Sequence, residues 1–282
     1  MTERAVTDEQ IGQFARRVHD LQTRLTKGAV VFQPVMDGLQ LLAEGKSVIQ
    51  GGHWSLPYKD EKVESSYGYP QGFRIRTVQE QLEVLKKHFL NLDASHVEEL
   101  AKGALSAEAE GWAVIPKPSK VAKSYHEALA KVIKLIAKER KFKNWREGAL
   151  TEKHLCLKEK TPQTHAKLNK QPGDFWVFPF QFGKKWAGHS VRNAQVRFAE
   201  SEFGLGPYEA AILLLTHPDR ITGSNQLNID CAGCEYGPGA DGDFFACLDF
   251  FWSYDYERLE LYYSRVDYVS KQWGAVSGFL AQ

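Results

Sequence analysis

The sequence predicts an α+β protein: a mainly helical N-terminal part, residues 1–110, followed by a mixed part, residues 111–282, that ends in an antiparallel β-meander. Three observations carry this. Apolar residues recur at helical spacing through the first hundred positions. Near Gly111 the pattern changes to short apolar or aromatic runs broken by Pro and Gly. The last 55 residues hold three strand-like runs separated by turn residues.

Ile11, Phe14, Val18, Leu21 and Leu25 mark one face of a helix over residues 7–27, with Thr7 and Gln10 as a capping box. A second helix is expected over 33–44, ending at Gly45. Residues 51–72, rich in Gly, Pro, Ser and Tyr, read as a long loop. Val78, Leu82, Leu85 and Phe89 place a helix over 77–90, and Asp93 caps a shorter one through Lys102.

Trp112 to Ile115 reads as a strand stopped by Pro116 and Pro118. Ser124 and Glu127 form a capping-box pair before a helix to about Lys143. Phe175 to Phe182 is an aromatic strand whose Pro179 suggests a sheet edge. Ser190 to Phe203 reads as a helix. Pro207 suits the first turn of another, ending near Thr216-His217-Pro218. The meander strands are Leu227–Cys231, Phe244–Trp252 and Leu259–Val266, with Tyr254-Asp255-Tyr256-Glu257 as the turn between the last two.

The longest aliphatic run, Ala210 to Leu215, is far short of the roughly 20 residues a bilayer-spanning helix needs. The first residues lack the apolar core of a secretory signal, so the expected location is the cytoplasm, with no membrane partner. Four cysteines in 282 residues do not make a disulfide framework.

Net charge is only +1, yet it is segregated. Residues 117–170 carry 15 Lys/Arg against 5 Asp/Glu, whereas residues 200–282 carry 4 against 13. A basic middle beside an acidic end implies either a polyanion partner or attraction between basic and acidic surfaces, including those of two copies in a homo-oligomer.

Several stretches from Gly111 onward form a specific order of motifs: Lys141 to Gly148, Gln181-Phe182-Gly183, Gly188 to Arg192, Glu202 to Gly206, Leu213 to Pro218, Ile229 to Gly233, Gly239 to Phe244 and Val276 to Gln282. In these the chain resembles a family of uncharacterised bacterial proteins, over roughly residues 111–282. His189 stands where relatives usually have Arg, and Cys234 where they usually have Asp. The resemblance implies a bacterial or phage-like origin and a shared fold, and no reaction.

On a helical wheel, Lys131, Lys134, Lys138 and Lys141 oppose the apolar arc of Tyr125, Leu129, Val132, Ile133 and Ile136. Lys143, Trp145 and Arg146 follow directly. Basic residues interleaved with aromatics suit a nucleic-acid backbone and an unstacked base; an ordinary solvated lysine face is the bland alternative. The loop Gly183 to Ser190 has the pattern Gly-x-x-x-x-Gly-His-Ser, one residue from a P-loop, with His189 in place of the Lys. Lys184, Lys185, His189, Ser190 and Arg192 would make a pocket for phosphate or another anion. Alternatively it is a structural turn with Ser190 as N-cap.

Asp230, Cys231, Cys234, Glu235, Asp241 and Asp243 crowd one acidic, Gly-rich segment. Its readings are a divalent-metal site, a zinc or redox cysteine pair, or a solvated loop whose Asp residues bond local backbone N–H groups. The leading functional expectation is a non-enzymatic protein that binds nucleic acid, another polyanion or a phosphorylated ligand. The runner-up is a metal-dependent phosphoesterase or nuclease using the segment 230–243. The third is a protein-interaction or structural subunit.

Overall fold

The computed structural model describes residues 18–26, 36, 58, 60–158 and 160–280. The chain forms two compact units, Met1–Ser55 and Leu56–Gln282. In the first, residues 18–26 are helical. The start of the helix expected over 7–27, its Thr7 cap, and the helix expected over 33–44 apart from residue 36 lie outside the described residues.

In the second unit, helices and strands are numbered in chain order. Helix α1 (Val78–His88) begins at a reciprocal cap: the Thr77 hydroxyl accepts from the Glu80 N–H at 3.2 Å, and the Glu80 carboxylate accepts from the Thr77 N–H at 2.7 Å. Leu82 and Leu85 are its buried face. Helix α2 (Val97–Leu100) is a single turn. Both pack on the sheet strands and core helices of the second unit. The remainder of residues 60–110 is mostly irregular. The expectation of a mainly helical part over 1–110 is thereby corrected: the division between units falls at 55/56, and α1 and α2 belong to the sheet-rich unit.

Four strands form an antiparallel sheet in the order β1 (Gly111–Pro116), β4 (Phe175–Gln181), β11 (Ser277–Phe279), β5 (Glu202–Gly204). Strand β4 is buried along its whole length and lies inside the sheet, not at its edge. Pro179 is tolerated there because β11 pairs only with Phe180 and Gln181, so its missing N–H interrupts no ladder on that side.

The second sheet is built on the hairpin of β8 (Ala246–Ser253) and β9 (Arg258–Arg265). Strand β2 (Phe142–Asn144) runs parallel to β9. On the other edge of β8 lie β6 (Asn228–Asp230) and β7 (Cys234–Tyr236). Strand β10 (Trp273–Ala275) runs parallel to β6, and β3 (Leu155–Leu157) antiparallel to β7. The three expected meander strands do lie side by side and antiparallel, as β6, β8 and β9. The expectation of a plain meander is corrected in three respects: β7 falls between the first two in sequence, two further pairings are parallel, and the chain leaves this sheet after β10 to complete the first one with β11. At that crossing Gly183 and Gly274 touch backbone to backbone: a Cβ on Gly274 would stand 2.3 Å from the Gly183 carbonyl oxygen.

Helix α7 (Pro207–Thr216) is buried at all ten positions and packs against α1, β1 and α4 (Tyr125–Glu139). His217 closes it. Its Nδ1 lies 3.0 Å from the Leu213 carbonyl, and its Nε2 accepts from the Arg76 N–H at 2.9 Å. Three short helices complete the unit: α3 (Pro118–Val121), α5 (Lys160–Leu168) and α6 (Val191–Arg197). Helix α6 is shorter than the span expected from 190 to 203, because the chain turns into β5 at Glu202. Among the described residues no helix is long and apolar enough to cross a membrane.

A candidate cationic groove

Helix α4 is the basic helix of the sequence. The Ser124 hydroxyl accepts from the Glu127 N–H at 3.2 Å, while the Glu127 carboxylate reaches the Lys123 N–H instead of closing the box on Ser124. Leu129, Val132, Ile133 and Ile136 are buried on one face, and Lys131, Lys134 and Lys138 are exposed on the other. The helix ends at Glu139. Arg140 is extended and its guanidinium donates to the carbonyls of Pro218 and Ile221, at 2.7 and 2.5 Å.

The lysine face borders a groove of about 450 Å³ between α4, α3 and the segment after α1. Lys120, Lys131, Lys134, Lys138 and His88 line it, over apolar surface from Phe89, Leu90 and Leu135. Leu90 is 82% exposed. Lys120 is paired with Asp174 at 3.0 Å, and Lys131 donates to the Val121 carbonyl at 2.7 Å. His88 has Glu139 3.8 Å away. Lys134 and Lys138 have no hydrogen-bond or ion-pair partner among the described residues. The groove thus combines two uncommitted ammonium groups with apolar surface, which suits a ligand carrying both phosphate and a ring. His88 and Lys120 were not singled out in the sequence, although Lys86-Lys87-His88 at the end of α1 carried a signal.

Lys141, Lys143 and Arg146 do not line this groove. Lys143 lies in β2 with its ammonium 5.1 Å from the centre of the Trp145 ring. Arg146 stands over Tyr262 and Tyr263, at 4.7 and 5.0 Å. Trp145 is held by its indole N–H, which donates to Glu260 at 2.6 Å.

The Gly183–Ser190 loop does hold an anion, but one that the chain supplies itself. The carboxylate of Glu61 accepts from the Ser190 hydroxyl at 2.7 Å and from the Arg192 guanidinium at 2.8 and 2.9 Å. Ser190 is also the N-cap of α6, accepting from the Asn193 N–H. Lys185 is paired with the buried Glu202 at 2.6 Å and with Glu108. Burial holds the His189 imidazole below its usual pKa, and its Nδ1 is 2.6 Å from Asn193 Oδ1. Lys184 is exposed, with its N–H donating to Tyr69 Oη. The structural turn accounts for Ser190, His189, Lys185 and Arg192, whereas the Lys184 ammonium has no hydrogen-bond or ion-pair partner among the described residues.

The acidic segment does not converge. Asp230, Cys231 and Cys234 are buried in the core, Glu235 is paired with Lys158, and Asp241 and Asp243 lie on an exposed turn where Asp241 accepts from the Asp243 N–H. Among the described residues no three His, Cys, Asp or Glu side chains are placed to hold a metal ion. All four cysteines are free thiols, and burial pushes those of Cys231, Cys234 and Cys247 well above their ordinary range, away from the thiolate that redox exchange needs. Of the six expected metal ligands, Asp230, Cys231 and Cys234 share one buried neighbourhood, whereas Glu235 is held by Lys158 and Asp241 and Asp243 sit on the exposed turn, so the six are not brought together.

Comparison with protein-family models, curated proteins and solved structures returned no match. The fold and the groove define a mixed α/β protein with a cationic cleft, and the functional reading rests on that cleft.

Proposed function

We propose that the protein binds a phosphate-bearing polyanion, nucleic acid foremost, in the groove along α4, without catalysing its breakdown. The observation that carries this is the pair Lys134 and Lys138, unpartnered among the described residues on a groove whose other surface is apolar. Elsewhere the exposed or half-buried cations of the sequence motifs are largely taken up by Glu61, Glu108, Glu202 and aromatic rings. A phosphate would find two free ammonium groups here, and a base would find Phe89 and Leu90. The nuclease alternative loses support because its carboxylates are dispersed.

The test is fluorescence anisotropy with labelled single-stranded and duplex DNA and RNA across a range of salt concentrations. The Lys134→Ala/Lys138→Ala variant should weaken binding and lower the salt slope by roughly 1–2, at about 0.7–0.9 for each phosphate no longer neutralised. Absence of wild-type binding at low salt would end this reading.

A further inference from the structure

Two exposed features of opposite charge lie toward one end of α4. The first is the lysine row, where Lys134 and Lys138, one helical turn apart, border the exposed Leu90. The second is the β8–β9 turn, Tyr254-Asp255-Tyr256-Glu257. Arg140, the residue after α4, links them. Its guanidinium donates to the Pro218 and Ile221 carbonyls and stands 5.8 Å from the centre of the Trp252 ring, which lines the depression beside the turn.

The turn is as unpartnered as the row. Tyr254 is 78% exposed and Tyr256 60%, a large aromatic area to leave in water. The side chains of Asp255 and Glu257 make no hydrogen bond or ion pair among the described residues. Ser253 and Arg258 close the hairpin in register and hold the turn in place. Glu257 has φ +45°, a left-handed backbone that glycine adopts more readily, so the turn carries a carboxylate where its geometry does not ask for one. Arg258 lies 4.4 Å from the Tyr256 ring centre. These rings therefore already take a cation of the chain itself, and the open carboxylates beside them favour further positive charge.

Each feature offers what the other lacks. No Lys or Arg lines the depression at the turn, and no Asp or Glu lines the lysine groove. Among the described residues no ion pair joins the two within one copy. We infer that two copies of the chain associate about a two-fold axis, the acidic turn of each seated in the lysine groove of the other. Asp255 and Glu257 then meet Lys134 and Lys138, and Tyr254 covers Leu90. Because both features lie toward one end of α4, a single axis makes both contacts from the same patch on each copy. Contacts this small, between exposed charges, give a weak dimer that salt dissociates. The self-association stands without the polyanion reading. Only a corollary rests on that reading: a polyanion and the second copy exclude each other at Lys134 and Lys138.

The experiment is analytical ultracentrifugation of the full chain, without nucleic acid, over a series of protein concentrations at low and at high salt. The wild type should dimerise at low salt and be monomeric at high salt. Lys134→Glu/Lys138→Glu and Asp255→Lys/Glu257→Lys should each weaken the dimer by at least about tenfold. An equimolar mixture of the two variants should dimerise again. The acidic turn of the first then meets the basic groove of the second, and the basic turn of the second meets the acidic groove of the first. All four positions are exposed, and circular dichroism should show both variants folded. The inference is overturned if the wild type stays monomeric at low salt and the highest concentration, if its dimer survives both charge reversals, or if the mixture remains monomeric. Oligonucleotide binding is read separately by anisotropy, so the loss of either reading leaves the other to its own measurement.

Discussion

Asp230 on β6 and Asp249 on β8 face each other in register across the second sheet, and both are buried. Asp249 Oδ2 accepts from the Ser264 hydroxyl at 2.7 Å, whereas its Oδ1 has no partner among the described residues. Burial pushes the Asp230 carboxyl up to about 7 from 3.8; burial, and then the neighbouring carboxylate, push Asp249 up as well. Because the folded value of Asp230 exceeds the unfolded one, its contribution is fully present below about pH 4 and is lost as pH rises toward 7. Asp230→Asn should therefore raise stability by ~1–3 kcal/mol at pH 8 and change it little at pH 4. Urea unfolding at the two pH values checks this.

His217 gives the opposite slope. Burial lowers it to about 4 from 6.5, and its Nε2 is an acceptor for the Arg76 N–H, so the folded protein holds the neutral ring. Its folded value lies below the unfolded one. The associated stability is present above pH 6.5 and is lost as pH falls toward 4. In a Tm–pH profile, His217→Asn should lower Tm at pH 7 and flatten the decline between pH 6.5 and 4.

Glu202 is fully buried, yet both oxygens are used. It accepts from the Trp186 indole N–H at 2.8 Å, the Ser277 hydroxyl at 2.6 Å and the Lys185 ammonium at 2.6 Å. Glu202→Ala would leave the buried Trp186 N–H without an acceptor and the Lys185 ammonium with Glu108 alone, a loss of ~1–3 kcal/mol. Denaturant titration followed by tryptophan emission should show the midpoint fall.

Glu61 pins residues 60–65 onto the loop before α6. The approach is close: a Cβ on Gly188, where φ is +81°, would stand 2.0 Å from the Val63 carbonyl oxygen. Glu61 and Arg192 are each about one-fifth exposed, so solvent screens the pair and Glu61→Ala should cost only ~1 kcal/mol. Amide hydrogen exchange should nonetheless quicken locally, at residues 183–193, since Ser190 and Arg192 are deprived of their shared acceptor.

Features decided by neighbours in sequence were legible. The apolar face of α4, the Ser190 and Thr77 helix starts, Pro207 in the first turn of α7 and the turn at 254–257 all depend on residues within a turn or two. The lysine face was legible for the same reason. The partition into layers was not. Strands β7, β10 and β11 have three residues each, too short for periodicity to reveal; β6 was legible as a strand, but its parallel pairing with β10 was not.

By itself, then, the sequence determined where cations and apolar faces occur, because helical spacing and capping are local. Which cations remain available was decided only by the tertiary structure. Ser190 finds Glu61 at a separation of 129 residues, and Lys185 finds the buried Glu202, so the loop that looked like an anion pocket is filled from within. Lys134 and Lys138 meet no such carboxylate among the described residues and stay free beside Phe89 and Leu90. Charge is a property of a residue, but its availability depends on every group folded against it, and that information is spread over the whole chain.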